Sequence, residues 1–159
     1  MEHEFLNGLS PTEVERVLDL GTRITLPSGA SLFRMGDPAE SLFLIVRGRI
    51  RLTLPMLLQS KELDILIEER SGGQTVGWSA LVPPYHFTLS ATAPLETDVI
   101  ALPREALRTF CEASPALGYK IAVNLAVVVA NRLQMVQTMW LREMQHMVEM
   151  KSSYAVAAG

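Results

Sequence analysis

Gly77-Trp78-Ser79-Ala80 and His86-Phe87-Thr88 are the residues here whose types and spacing suit chemistry, and the chemistry is capture of a small anion or a planar guest. If Trp78, Ser79 and Ala80 open a short helix, their backbone N–H groups can cradle an anion, and His86 can add a proton-dependent charge. Trp78 can stack against a guest or plug the space a guest would take, since an aromatic side chain buries about 150–250 Å². One absence weighs against the anion: from Ser71 to Pro103 there is no Lys and no Arg. That stretch offers no permanent positive charge. His86 then reads more simply as a loop histidine, Phe87 as core and Trp78 as a plug.

Other chemistries find less support. A metal site of the double-stranded β-helix class wants closely spaced His ligands with a carboxylate, whereas His3, His86 and His146 fall in three unrelated elements. One cysteine, Cys111, excludes an internal disulfide and any cysteine-held cluster. No serine stands at an interpretable spacing from a base. The expectation is a protein without catalytic residues, metal or cofactor. A formal charge of −3 gives no reason to expect nucleic acid. Arg47, Arg49 and Arg51, the one local concentration of basic residues, read as the solvated side of a strand.

The 159 residues are 48% hydrophobic and 19% charged, the composition of a globular chain long enough to bury a core. Met1-Glu2-His3-Glu4 has neither the cationic start nor the apolar core of a signal peptide. The longest apolar run, Ala122 to Ala130, is interrupted by Asn124 and is far short of the roughly 20 residues that span a bilayer. No membrane association is expected, and the cytoplasm is the expected location.

Several elements must position the central stretch. Ser10-Pro11-Thr12-Glu13 is a helix start with a capping box and proline at the first helical position, and that helix runs to about Leu20. The period then changes: Arg23 to Leu26, Ala30 to Arg34, Leu42 to Val46, Ile50 to Leu54, Leu63 to Glu68, Thr88 to Ala93 and Thr97 to Leu102 read as short strands between turn residues. That spacing argues for a sandwich or jelly-roll barrel. Pro103-Arg104 begins a helix ending near Ala113. Another starts at Ser114-Pro115, and nothing after Gly118 stops it before about Met150, more than thirty residues or roughly 45 Å. Val129, Leu133, Val136, Trp140, Met144 and Met147 form a near-heptad stripe along it, too long for one small barrel to cover. Self-association is the favoured reading, and the Met-rich surface also suits a different partner helix. The division expected is a barrel with flanking short helices over 1–113, a long helix over 114–150 and a frayed tail over 151–159.

Helix, short strands, then two helices with the last one long: this order, together with Leu32-Phe33-Arg34-Met35-Gly36-Asp37-Pro38-Ala39-Glu40-Ser41-Leu42-Phe43-Leu44-Ile45-Val46-Arg47-Gly48-Arg49-Ile50, closely resembles the cyclic-nucleotide-binding domain of the catabolite activator protein family. The Gly-Asp turn and the Ile-Val-x-Gly hairpin carry the likeness. Val76-Gly77, Ala91-Thr92-Ala93, Asp98 to Leu102 and Asn131-Arg132-Leu133-Gln134 continue it over residues 10 to 150. The resemblance implies a double-stranded β-helix (jelly-roll) barrel, mainly β with flanking α, and a dimerising C-terminal helix.

It also implies a phosphate cassette that begins Gly-Glu, the Glu taking the ribose hydroxyl, and ends about ten residues later with an Arg on the cyclic phosphate. Gly77 matches, but Trp78 stands at the Glu position, and Phe87, Thr88 or Leu89 at the Arg position. The family's base contacts fall near Val136 and Gln137. The candidate pocket is therefore Gly77, Trp78, Ser79, Ala80, His86, Phe87, Thr88, Val136 and Gln137, with cyclic nucleotide as the ligand that the family implies and the cassette argues against. No helix-turn-helix follows the long helix before Gly159. The function expected is a regulatory or sensor module, homodimeric through Val129, Leu133, Val136, Trp140, Met144 and Met147, with output through a protein partner and no direct nucleic acid. The alternative is an inert barrel that acts as a scaffold through its Met-rich helix.

Overall fold

Ser10 caps the first helix as its motif requires: the Glu13 N–H donates to Ser10 Oγ at 3.3 Å, and the Ser10 N–H donates to the Glu13 carboxylate at 2.7 Å. Helix α1 covers Pro11–Leu18 and buries Val17. This is a computed structural model, and it describes residues 3–157, with side chains through Lys151.

Among the described residues the strands form two four-stranded antiparallel sheets. One carries β1 (Thr22–Leu26), β8 (Thr97–Pro103), β3 (Ser41–Arg47) and β6 (Thr75–Val76), in that order. The other carries β2 (Ser31–Phe33), β7 (Ser90–Thr92), β4 (Arg49–Leu58) and β5 (Lys61–Ser71). Leu42, Leu44, Ile45, Ile50, Val76, Val99 and Leu102 are fully buried between and beneath the sheets. The architecture is the double-stranded β-helix (jelly roll) that the resemblance implies, one of the two arrangements the strand spacing left open.

One detail differs. Arg47-Gly48-Arg49 does not close a hairpin: β3 and β4 lie in different sheets, and the tripeptide carries the chain from one to the other. Gly48 adopts φ +94°, and a Cβ there would stand 2.5 Å from Thr97 Oγ1 and 2.8 Å from the Glu96 carbonyl oxygen, so the corner is too tight for a side chain. The three arginines are consequently split. Arg47 ends β3 and pairs with Glu96 at 2.9 Å and Asp98 at 3.2 Å, while Arg49 and Arg51 on β4 both hold Glu69, at 2.9 and 3.0 Å. Asp98 also accepts the Thr25 hydroxyl at 2.7 Å. That hydrogen bond, with Arg47 and Arg23 beside it, holds the Asp98 carboxyl below its ordinary pKa.

Helix α2 is Arg104–Ala113, and α3 runs from Pro115 to Ala157, past the Met150 end read from the sequence. By composition and length alone, Pro115–Lys151 of α3 would also suffice to cross a membrane. The apolar run of Ala122 to Ala130, taken without the rest of the helix, conceals this. The chain divides into two compact units, Met1–Leu125 and Ala126–Gly159, a division that falls inside α3.

The N-terminal arm ties the first unit together. Glu4 accepts the Thr75 N–H at 2.7 Å and pairs with Arg70, Phe5 is wholly buried, and Asn124 donates to the Phe5 and Asn7 carbonyls at 3.0 and 2.8 Å. His3 is buried with the arm. Burial lowers its pKa first, Glu4 and the Gln74 backbone raise it, and Arg70 lowers it, with a net result below the ordinary value. Below about pH 6.5 the unfolded chain therefore takes up a proton that the folded chain refuses, and stability falls with pH until the folded pKa is reached. Urea denaturation between pH 7.5 and 5.5 is expected to show that loss, and His3→Phe to reduce the slope. Equal slopes in the two proteins would remove the buried neutral imidazole from the account.

Candidate ligand-binding site

Gly77 leaves β6 in the left-handed region, φ +79°, and turns the chain into a four-residue 3-10 turn, Trp78–Leu81. The Ala80 N–H donates to the Gly77 carbonyl at 3.0 Å, so one of the three amides expected to face an anion is already used. Ser79 and Ala80 are buried and Trp78 is half-buried. The indole packs against the core from its partly buried position.

Past the turn, the loop is laced to the Gly36–Ala39 segment. Phe87 N–H donates to the Asp37 carbonyl at 3.0 Å, Gly36 N–H to the Phe87 carbonyl at 2.8 Å, and Ala39 N–H to the Tyr85 carbonyl at 2.7 Å. Asp37 in turn accepts the Arg34 N–H at 3.1 Å. This lacing fixes which side chains face inward. Phe87 is buried, while His86 and Thr88 on either side of it are exposed, with His86 Nδ1 2.9 Å from the Pro84 carbonyl oxygen.

Inside, Phe87 stacks on Phe33 of β2 with ring centroids 3.8 Å apart and planes at 10°, and Phe43 of β3 lies 5.8 Å from Phe33. A Cβ built on Gly77 would stand 3.2 Å from Phe43 and 3.2 Å from Phe87. The glycine that opens the cassette thus has phenyl rings packed directly against its backbone. Such a surface gains from burial and stacking and offers an anion neither a hydrogen bond nor a charge.

Of the residues singled out from the sequence, Gly77, Trp78, Ser79, Ala80, His86, Phe87 and Thr88 belong to this one loop. Val136 and Gln137 are exposed on α3 in the second unit. Phe33 and Phe43 were not singled out. The only signal for them was their place in strand runs, and β3 is buried from Leu42 to Ile45, so no alternation marked the inward face.

The family model described as "Cyclic nucleotide-binding domain" matches residues 23–114. The chain belongs to that family. It is 31% identical over 129 residues to a cyclic AMP receptor protein of Thermus thermophilus, an alignment covering 80% of this chain and 56% of that protein. It is also similar to the crystal structure of the Thermus thermophilus catabolite activator protein, with TM-score 0.73 and 27% identity over 89% of this chain and 63% of that one. A cyclic nucleotide-binding domain from Methylobacillus flagellatus shares the fold, with TM-score 0.78 at 23% identity over 89% of this chain and 82% of that chain. The chain spans 56% of the length of the Thermus receptor.

The stacked rings predict an asymmetry between neighbours in the loop. Phe87→Ala should cost about 3–5 kcal/mol, the range for removing a buried phenyl, whereas Thr88→Ala, an exposed change, should stay within about 0.5 kcal/mol. Urea unfolding of the two variants checks this, and equal effects would mean that the stack does not hold the loop.

Proposed function

We propose that this chain is a regulatory module of the cyclic nucleotide-binding family whose barrel does not capture a cyclic phosphate through charged side chains, and which has no reaction of its own. One observation carries the reading: a Cβ on Gly77 would stand 3.2 Å from the rings of both Phe43 and Phe87, so phenyl rings pack where the cassette opens. A hydrogen bond to a charged group contributes about 1.5–3 kcal/mol. Replacing the expected Glu by Trp78 and the expected Arg by Phe87, Thr88 or Leu89 removes two, and at about 1.36 kcal/mol per tenfold this lowers affinity by several powers of ten. Calorimetric titration with cyclic AMP and cyclic GMP should give no binding in the micromolar range. Micromolar affinity for either would overturn the reading.

The module works as a homodimer through α3. Leu133, Val136, Trp140, Met144 and Met147 are exposed and Val129 is half-buried, a stripe whose exposure to water is unfavourable unless a second helix covers it. A protein seam suits this helix better than a bilayer, because Asn131, Arg132, Gln134 and Gln137 lie in mid-stretch and an arginine at the centre of a membrane helix costs at least about 2.5–3.5 kcal/mol. The lone cysteine and acidic balance suit the cytoplasm. Output passes to a protein partner rather than to nucleic acid; the β4–β5 hairpin, where Met56, Leu58, Leu63 and Ile65 share one exposed face, offers such a partner apolar area.

A second reading, an inert barrel acting as a scaffold through the same helix, draws on the same stripe and differs only in leaving the barrel without influence on assembly. Both readings expect Leu133→Asp to convert a dimer into a monomer in light scattering after gel filtration. A protein already monomeric, or a dimer insensitive to that change, would remove the seam from both.

A further inference from the structure

Outside the barrel, the loop after Gly77 meets α2 and the first turns of α3 around a cleft of about 290 Å³, close to the lower limit of volumes that hold small molecules. Its walls are apolar: Leu81 from the loop, the fully buried Leu107 from α2, and Ile121 and Leu125 from α3. Its rim is not. Arg104 and Arg108 line it with the Glu105 carboxylate, which lies 3.3 Å from Arg104 and 3.2 Å from Arg108, and Arg108 is paired a second time, with Glu112 at 3.6 Å, which leaves Arg104 the less neutralised of the two. Arg104 is also held in place. Its guanidinium lies over the Tyr85 ring at 4.4 Å and donates to the Ala39 carbonyl at 3.2 Å.

We propose that this cleft binds a small amphipathic carboxylate, an apolar chain or ring seated among Leu81, Leu107 and Ile121 with its carboxylate on Arg104. Both halves of the guest follow from the lining. An apolar body alone would leave the fixed Arg104 guanidinium unused, and a bare anion would gain nothing from the walls. A preorganised guanidinium, already stacked and partly desolvated, is suited to a planar carboxylate. The site stands apart from the barrel, so it survives or fails independently of whether the barrel takes a nucleotide. It is also placed to be felt. Tyr85 under Arg104 is two residues from Phe87, and its carbonyl is bonded to Ala39 N–H, so a guest at Arg104 touches the same lacing that fixes the phenyl stack.

Decanoate serves as the probe and 1-decanol as its uncharged counterpart. The sole cysteine, Cys111, lines the cleft and is half-buried, so its alkylation by iodoacetamide, followed by mass spectrometry, reports occupancy there rather than on α3. Calorimetry should show saturable decanoate binding, and Cys111 alkylation should slow at least about tenfold at saturation. Decanol, and decanoate with Arg104→Gln, should each bind at least about tenfold more weakly, the loss of one charge-assisted hydrogen bond. Ala122→Trp, a change at an exposed position on the cleft wall, should remove both the binding and the protection. Absence of saturable binding, decanol as tight as decanoate, or binding that leaves Cys111 alkylation unchanged would each overturn the proposal.

Discussion

The contact between the Gly77 backbone and two phenyl rings constrains the rest of this molecule. A glycine in the left-handed region brings main chain close to whatever lies inside a barrel, and in this barrel a Cβ on Gly77 would stand 3.2 Å from Phe43 and from Phe87. Phe87 reaches that place because its loop is bonded to Gly36 and Asp37, and Phe33 then stacks on it at 3.8 Å. A buried guanidinium without its anion is expensive to keep out of water, so a cassette built on arginine stays poised for its ligand. The packed rings of Phe33, Phe43 and Phe87 carry no such dependence, because phenyl groups satisfy one another.

Around that centre, the first unit is tied at three points to segments that flank the barrel. The capping box of α1 shares Glu13 with Lys120 of α3, Asn124 of α3 holds two carbonyls of the N-terminal arm, and Arg104 at the start of α2 bonds Ala39 and stacks on Tyr85. The first tie joins two helices, and the other two join a helix to the N-terminal arm and to the segment before β3. Glu13 and Lys120 are partly exposed, where an ion pair contributes little. The Asn124 bonds and the Arg104 stack therefore matter more for position.

Much of the fold was legible because it is written in local chemistry. Ser10-Pro11-Thr12-Glu13 encodes its own helix start, strand runs between Gly, Pro and Asp encode a jelly roll, and the lack of Lys and Arg from Ser71 to Pro103 is a plain fact of composition. The sequence likeness from Leu32 to Ile50 carried the family as well. What could not be read depends on which residues meet across the chain. Gly48 reads as a hairpin turn until Thr97 is seen beneath it, forcing the strand into the other sheet. Trp78 stands out because it is large and sits at the matched position, whereas the packing of Phe33, Phe43 and Phe87, three residues from β2, β3 and a loop, carries no such mark. The Arg104 cleft has no motif at all; it arises where α2, α3 and the loop converge.

These two parts bear on each other. If the barrel is closed by its own phenyl rings, a signal that shifts the module has to gain differential affinity for one of its conformations somewhere else, since a ligand moves an equilibrium only by that difference. The Arg104 rim is the place where added charge reaches the loop without displacing the stack. An anion there competes with Glu105 for the guanidinium and leaves Tyr85 beneath it, so its effect passes along the Tyr85–Ala39 and Phe87–Asp37 backbone bonds. If the proposed reading holds, the point of entry lies outside the loop, at Arg104, and the guest there is a carboxylate rather than a phosphate.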